Sequence, residues 1–197
     1  MHARTRGGDA GTTFDQALES PGPLLAAWDL TPWKGRRTLT LFSLDEDRAR
    51  ALAYSDVVTG DEEALAAPLR ARGLAIGEYD SRCDFVWLKE AGGVTVWGPH
   101  GCVLRAHGET LTLASGRTLA RGVLERVHTR ATDDYVMRGV RAVLWSGEVV
   151  ELVRDVSATA AADPTYSRNE LLYDTEWAGA LAAAVAQWAG VPWENGI

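Results

Sequence analysis

Cysteine is scarce in this chain of 197 residues, which contains only Cys83 and Cys102. The two cysteines form no CxxC motif and no zinc-binding pattern with a histidine, so at most one disulfide bond can form and nothing indicates secretion. The sequence also lacks an uninterrupted apolar run of about 18 residues, the length that a membrane-spanning helix requires. No apolar segment of signal-peptide type follows the basic residues near the N-terminus. We therefore expect a cytoplasmic protein without a transmembrane segment.

Basic residues are fewer than acidic residues: the chain has 20 Lys and Arg residues and 27 Asp and Glu residues, so its formal net charge is −7. A general nucleic-acid-binding protein gains its affinity by neutralising phosphates with basic side chains, so nucleic acid is not an expected partner. The charge is unevenly distributed. Residues 44–80 contain nine acidic residues and four arginines, whereas residues 101–141 contain seven arginines and four acidic residues.

Catalytic and metal-binding motifs are also lacking. His100 and Cys102 lie in the turn-like segment "GPHGC", where residues two apart seldom point at each other and no third orienting group can be placed. Asp133 and Asp134 are adjacent acids between two predicted strands, which is the usual chemistry of a hairpin turn. The four histidines lack the i,i+4 spacing of a helical metal site; they are His2, His100, His107 and His128. The sequence therefore predicts no enzyme, no cofactor and no metal.

The N-terminal part of the chain reads as a mixed segment. We expect residues 1–12 to be disordered and residues 13–82 to form a mixed α/β, mostly helical portion. Thr12 or Thr13 can cap a short helix over "FDQALES", and "TLTLFSL" alternates as a strand does. The segments "DEDRARALAYSDVV" and "DEEALAAPLRARG" both open with acids, which predicts two helices, the second ending at Gly73.

Residues 83–156 have a different pattern of apolar and turn-forming residues. Short alternating apolar runs are separated by turn residues at intervals of about 8–12 positions, a pattern typical of an antiparallel meander or barrel. Gly139, within the run "YVMRGVRAVLW", predicts a bulge or a bend in its strand. We therefore expect an antiparallel β-barrel over residues 83–156.

The C-terminal part reads as a linker, a helix and a tail. Residues 157–168 are polar and Ala-rich, residues 169–190 predict a helix ended by Gly190, and residues 191–197 form a tail. Apolar residues recur on one face of this helix at spacings of three, four and seven: Leu171, Ala178, Leu181, Val185 and Trp188, widened by Leu172, Trp177 and Ala184. Such a stripe must be buried, and the preceding barrel is its expected target.

Residues 94–189 resemble the bacterial pleckstrin-homology-like domain superfamily. The segments "GRTLARGVLERVHT", "RGVRAVLWSGEVVELV" and "DTEWAGALAAAVAQWAGV" are similar, in that order, to a Gly-led strand, the penultimate hairpin and the closing helix of these domains. The resemblance implies an α+β fold, in which an antiparallel PH-like β-barrel carries a C-terminal capping helix. It also implies a binding scaffold for lipid head groups, peptides, partner proteins or self-assembly.

The resemblance departs from the lipid-binding members at one loop. Those members place several Lys and Arg residues between their first two strands, whereas here only Lys89 and Arg105 lie near the corresponding loop. We therefore do not expect phosphoinositide binding, and a protein partner or self-association is favoured.

Two groups of residues are candidates for binding a partner. The arginines Arg117, Arg121, Arg126, Arg130, Arg138 and Arg141 either form a basic strip for an acidic peptide or a phosphate, or pair with nearby glutamates across strands. Trp193 lies beyond the closing helix, and Trp28 and Trp33 flank an N-terminal turn. These tryptophans either dock a partner or fold back onto the protein.

The sequence supports three hypotheses about function. The first is a non-enzymatic binding or interaction module with a protein partner or an assembly role. The second is an acidic immunity- or antitoxin-like protein, whose net charge of −7 would steer it to a basic target. The third is an enzyme of unrecognised type with its site between the N-terminal portion and the barrel.

Overall fold

A computed structural model of the chain describes residues 13–30, 34–45, 48–81, 85–98, 100–131, 137–154 and 176–195. The chain divides into two compact units. One comprises Met1–Leu88 with Trp97–Gly101, and the other comprises Lys89–Val96 with Cys102–Ile197. Strands predominate in the described residues, and the fold is a sheet-rich α+β fold.

The helices of the described residues are α1 (Phe14–Leu18), α2 (Glu62–Ala71) and α3 (Glu176–Ala189), with a 3₁₀ turn at Arg121–Val123. The strands are β1 (Leu24–Asp29), β2 (Arg36–Leu44), β3 (Ala49–Val58), β4 (Ala75–Asp80), β5 (Phe85–Glu90), β6 (Gly93–Gly98), β7 (Gly101–His107), β8 (Thr110–Leu113), β9 (Thr118–Ala120), β10 (Leu124–Ala131), β11 (Met137–Leu144), β12 (Val149–Arg154) and β13 (Trp193–Glu194).

Hydrogen bonds join these described strands into two sheets. The first sheet has the order β3-β2-β1-β4-β5-β6-β7-β8-β9, and the second has the order β12-β11-β10-β13. The first sheet is mixed, because β1 and β4 run parallel. The expected antiparallel PH-like barrel was therefore wrong, since neither sheet closes on itself. Turn residues determine which consecutive strands pair, but they do not determine whether the first and last strands meet.

The expectation of a mostly helical N-terminal portion was also wrong, because β1–β4 occupy much of residues 13–82. Asp45, directly after Leu44, begins a hairpin turn and not a helix. The main-chain N–H of Asp45 donates to the carbonyl of Arg48 at 2.9 Å, and the N–H of Arg48 donates to the Asp45 carboxylate at 2.5 Å. Strand β3 then pairs with β2 along its length. These long-range hydrogen bonds outweigh the local helix signal.

Other predictions for the first unit are confirmed. Thr13 caps α1 in a capping box with Gln16, "TLTLFSL" lies within β2, and α2 ends two residues before Gly73. A core cluster joins the two helices to the sheet. Its buried members are Ala17, Ala26, Trp28, Leu39, Leu41, Ala53, Ala66 and Leu69.

The second unit is organised around α3. This helix contacts β10, β11 and β13, and its predicted apolar face is buried over Trp177, Ala178, Leu181, Val185 and Trp188. It ends at Gly190, whose positive φ of 72° suits glycine, as the sequence predicts. The helix thus covers one face of an open four-stranded sheet and does not plug a barrel.

Several expectations concern segments outside the described residues. They are the expectation of disorder in residues 1–12, of a linker in residues 157–168 and of a helix start in residues 169–175. Within the described residues, no helix combines the length and the apolarity needed to cross a membrane.

Candidate protein-docking surface

The four-stranded sheet of the second unit has two faces of different chemistry. On the face beneath α3 the side chains are buried: Val127, Thr129, Val140, Ala142, Leu144, Val150 and Val153. Side chains alternate along a strand, and in β12 the register shift at Leu152 adds one extra residue, so the remaining residues point away from the helix. We call the surface that they form the outer face. Its members are Arg126, His128 and Arg130 on β10, Arg141 and Val143 on β11, and Val149, Glu151 and Arg154 on β12.

One carboxylate on the outer face is shared by three guanidinium groups. Arg130 donates to Glu151 at 2.9 Å, while nitrogens of Arg141 and Arg154 lie 3.8 and 4.0 Å from its carboxylate oxygens. We call these four residues the Glu151 cluster. The cluster has a local excess of two positive charges, in a chain whose net charge is negative.

Gly139 makes room for this arrangement. Gly139 pairs with Arg130 on β10 and with Arg154 on β12. The two arginines are therefore separated, across the sheet, by a residue that has no side chain. The pairing of β11 with β10 is shifted between Gly139 and Met137, which pair with Arg130 and Ala131, so the sequence expectation of a bulge or bend at Gly139 is confirmed. A Cβ at Gly139 would lie only 2.6 Å from the carbonyl oxygen of Val153, which excludes any larger residue without backbone movement.

Arg126 belongs to a separate part of the outer face, where two acidic side chains lie near one basic side chain. Its guanidinium lies 2.7 Å from the carboxylate of Glu125 and 3.8 Å from that of Glu194 on β13. Two carboxylates therefore surround this one arginine, whereas in the Glu151 cluster three arginines surround one carboxylate. The positive excess is confined to the end of the face that holds Arg130, Arg141 and Arg154.

The turn between β11 and β12 exposes a large apolar side chain at the opposite end. Trp145 is 70% exposed, and Val149 and Val123 nearby are 51% and 39% exposed. The main-chain N–H of Trp145 donates to the carbonyl of Val123 at 3.0 Å, which holds the turn against the 3₁₀ segment. Beside it lies an open groove of about 440 Å³, which we call the Trp145 groove. It is lined by Thr118, Leu119, Ala120, Gly122, Val123, Leu144, Trp145 and Ser146.

A bidentate ion pair stands next to the Trp145 groove. The two terminal nitrogens of Arg117 donate to the two carboxylate oxygens of Glu148 at 2.8 and 2.9 Å. This hydrogen bonding lowers the pKa of Glu148 and raises the pKa of Arg117. The pair links the β8–β9 turn to the β11–β12 turn, and its geometry is the strongest that an arginine and a carboxylate form.

The remaining candidates lie away from the outer face. Arg121 stacks over Trp188 at 5.9 Å and donates to the carbonyl of Ala189 at 3.3 Å, so it stabilises the C-terminal end of α3. Trp193 is 41% exposed and lies on the helix side of the sheet, where a Cβ at Gly179 would be 3.9 Å from its ring. Trp28 is buried beneath the guanidinium of Arg37.

The predicted arginine strip is therefore divided by the structure. Arg126 and Arg141 lie on the outer face with Arg130, whereas Arg117 and Arg121 lie elsewhere, and each of these arginines contacts a glutamate. The side chain of Arg138 and the whole of Trp33 lie outside the described residues. Sequence reasoning missed Trp145, Val149 and Arg154 as surface residues. A tryptophan directly before the turn "SGE" was the available signal, because turn residues are rarely buried.

The other candidate groups form no evident catalytic or metal site in the described residues. Cys102 is partly exposed, with its Sγ 3.6 Å from the carbonyl of Leu104. Asp133 and Asp134 lie outside the described residues. Across the part of the chain that is described, no three His, Cys, Asp or Glu side chains come together in a way that could hold a metal ion.

Comparison with known proteins gives no family assignment for this chain. No protein-family model matches the sequence, and no curated protein matches it significantly.

Proposed function

We propose that this chain is a non-enzymatic protein-binding module and that its docking surface is the Trp145 groove with the adjoining outer face. The observation that carries the proposal is the 70% exposure of Trp145 beside two exposed valines. Exposing a tryptophan to water forgoes the free energy of burying its large apolar surface, and tryptophans dominate the energetics of many protein interfaces.

The surroundings of Trp145 fit a protein interface. An apolar centre formed by Val123, Trp145 and Val149 is bordered by the Arg117–Glu148 pair, and interfaces commonly combine an apolar core with a polar rim. None of the eight residues lining the groove is titratable, so the groove itself contains no general acid or base. Binding, and not proton-transfer chemistry, is the activity that these side chains support.

Comparison of two tryptophan variants tests the proposal. The full-length wild type, Trp145→Ser and Trp193→Ser are immobilised and used to capture a partner from the native host, and the purified partner is then titrated against each. We expect Trp145→Ser to weaken the affinity at least tenfold, since a buried interface tryptophan contributes about 2 kcal/mol or more. Trp193→Ser, on the helix side, should change it less than twofold.

Thermal unfolding and circular dichroism of the variants serve as the folding control. Equal affinity of folded Trp145→Ser and wild type for every captured protein would refute the proposed docking surface. Capture of a second copy of the chain that depends on Trp145 would support an assembly role at the same surface.

A further inference from the structure

The outer face offers one partner two different anchors. Arg141 and Val143 occupy alternate positions of β11 and lie on one face about 7 Å apart, and Trp145 follows in the turn, where its main-chain N–H donates to the carbonyl of Val123. The Glu151 cluster and the side chain of Trp145 are therefore separated by about 13 Å along the strand direction. That distance is spanned by four residues of an extended peptide.

The charge of the Glu151 cluster determines the chemistry of one anchor. Arg130, Arg141 and Arg154 approach a single carboxylate, and within the described residues no other acidic side chain lies within 4 Å of their guanidinium groups. Each guanidinium has five N–H donors, so the three arginines retain donors for further carboxylates. These side chains are also accessible, with exposed fractions from 31% to 60%.

We propose that the outer face binds an extended acidic peptide segment of a partner protein. Its carboxylates contact the Glu151 cluster, and a large apolar side chain about four residues away enters the Trp145 groove. The inference rests on the proposed function and adds the chemical class of the partner. The net charge of −7 opposes binding of a nucleic acid, because a polyanion would contact a wide area of this acidic chain.

Selection from a random 12-residue peptide library displayed on phage tests the inference with the full-length chain. We expect the selected peptides to contain two or more acidic residues and one large apolar residue about four positions away. Synthetic copies of the tightest binders are then titrated against Trp145→Ser, the double variant Arg130→Gln/Arg141→Gln, and Arg70→Gln. Arg70 is a matched control, because one terminal nitrogen of its exposed guanidinium donates to both carboxylate oxygens of Glu63 on α2 of the first unit.

The double variant should weaken peptide binding about tenfold or more, since a charge-assisted hydrogen bond is roughly twice as strong as a neutral one. Arg70→Gln should leave binding unchanged. Glu151→Gln gives a sharper test, because it removes the carboxylate that competes with the peptide. We expect this variant to bind at least threefold more tightly and with a steeper dependence on salt concentration.

Several outcomes would overturn the inference. Peptides that need Trp145 but not Arg130 and Arg141 would leave the proposed function standing and refute the acidic class of partner. Peptides insensitive to all of these variants would refute both proposals. Binding to phosphatidylcholine vesicles containing 30% phosphatidylserine that needs the arginines but not Trp145 would assign the cluster to a lipid surface. Weaker binding by Glu151→Gln would refute the competition between carboxylates.

Discussion

The indole N–H of Trp188 donates a hydrogen bond to the main-chain carbonyl of Gly108 at 3.2 Å, which ties the last turn of α3 to the turn between β7 and β8. Trp188 is almost fully buried, and the guanidinium of Arg121 covers its ring. The two residues are 80 positions apart in the chain, so this bond forms only when the second unit is folded.

Replacing Trp188 by Phe tests the contribution of this bond. The variant keeps an aromatic ring but loses the donor, and it leaves a partly buried carbonyl without that partner. We expect a loss of about 1–2 kcal/mol in the free energy of unfolding, measured by urea denaturation. Trp193→Phe is the control and should change the stability by less than about 0.5 kcal/mol. Equal effects of the two variants would contradict this role of the bond.

Leu181→Asp tests the packing of α3 on the sheet. Leu181 has no exposed surface, so the variant buries an unpaired carboxylate in an apolar core. We expect a destabilisation of more than about 4 kcal/mol, detected as lost cooperative unfolding or insoluble expression. Gln187→Asp, on the exposed side of the same helix, is the control and should remain folded. A cooperative, stable Leu181→Asp variant would show that α3 does not cover the sheet.

Gly77→Ala tests the close approach of β4 and β5. A Cβ at this position would lie 2.3 Å from the carbonyl oxygen of Trp87, closer than any backbone can tolerate without a shift. We expect a destabilisation of about 1–3 kcal/mol in urea. Gly92→Ala is the matched control, because a Cβ there has open space around it. The strand geometry would be refuted if the two variants were equally stable.

The pKa of Glu148 predicts a specific pH dependence. Hydrogen bonding to Arg117 holds this pKa below its ordinary value of 4.5, so the folded state favours the carboxylate. The stabilisation is therefore present above pH 4.5 and is lost as the pH falls through the lowered pKa. Wild type and Glu148→Gln should differ in urea midpoint at pH 6 and converge towards pH 3. A difference that grows on acidification would contradict the sign of the shift.

Some parts of the fold could be predicted from short segments of the sequence. The Thr13 cap, the strand in "TLTLFSL", helix α2 and the stop of α3 at Gly190 all rest on interactions within a few residues. The segment "DEDRARALAYSDVV" was misread because its acids and alanines favour a helix. Its conformation is determined by hydrogen bonds to β2, which the local pattern does not encode.

The candidate surface likewise combines features that the sequence indicated with features that depend on the tertiary structure. The sequence indicated a group of arginines between residues 117 and 141, and it left open whether they form a strip or pair with glutamates. Arg130 and Arg141 meet at Glu151 only because β10, β11 and β12 are adjacent and in register. Arg154 joins them through the irregular pairing opposite Gly139, which no spacing rule could have located.

The amino-acid sequence by itself determined the residues that turn, the residues that alternate and the apolar stripe that α3 must bury, because these depend on backbone preferences and side-chain periodicity over short distances. Only the tertiary structure decided that the sheets stay open, that Trp145 faces water and that three arginines surround one glutamate. The physical reason is that these features depend on hydrogen bonds and packing between strands distant in the chain, whose register is set by the whole fold.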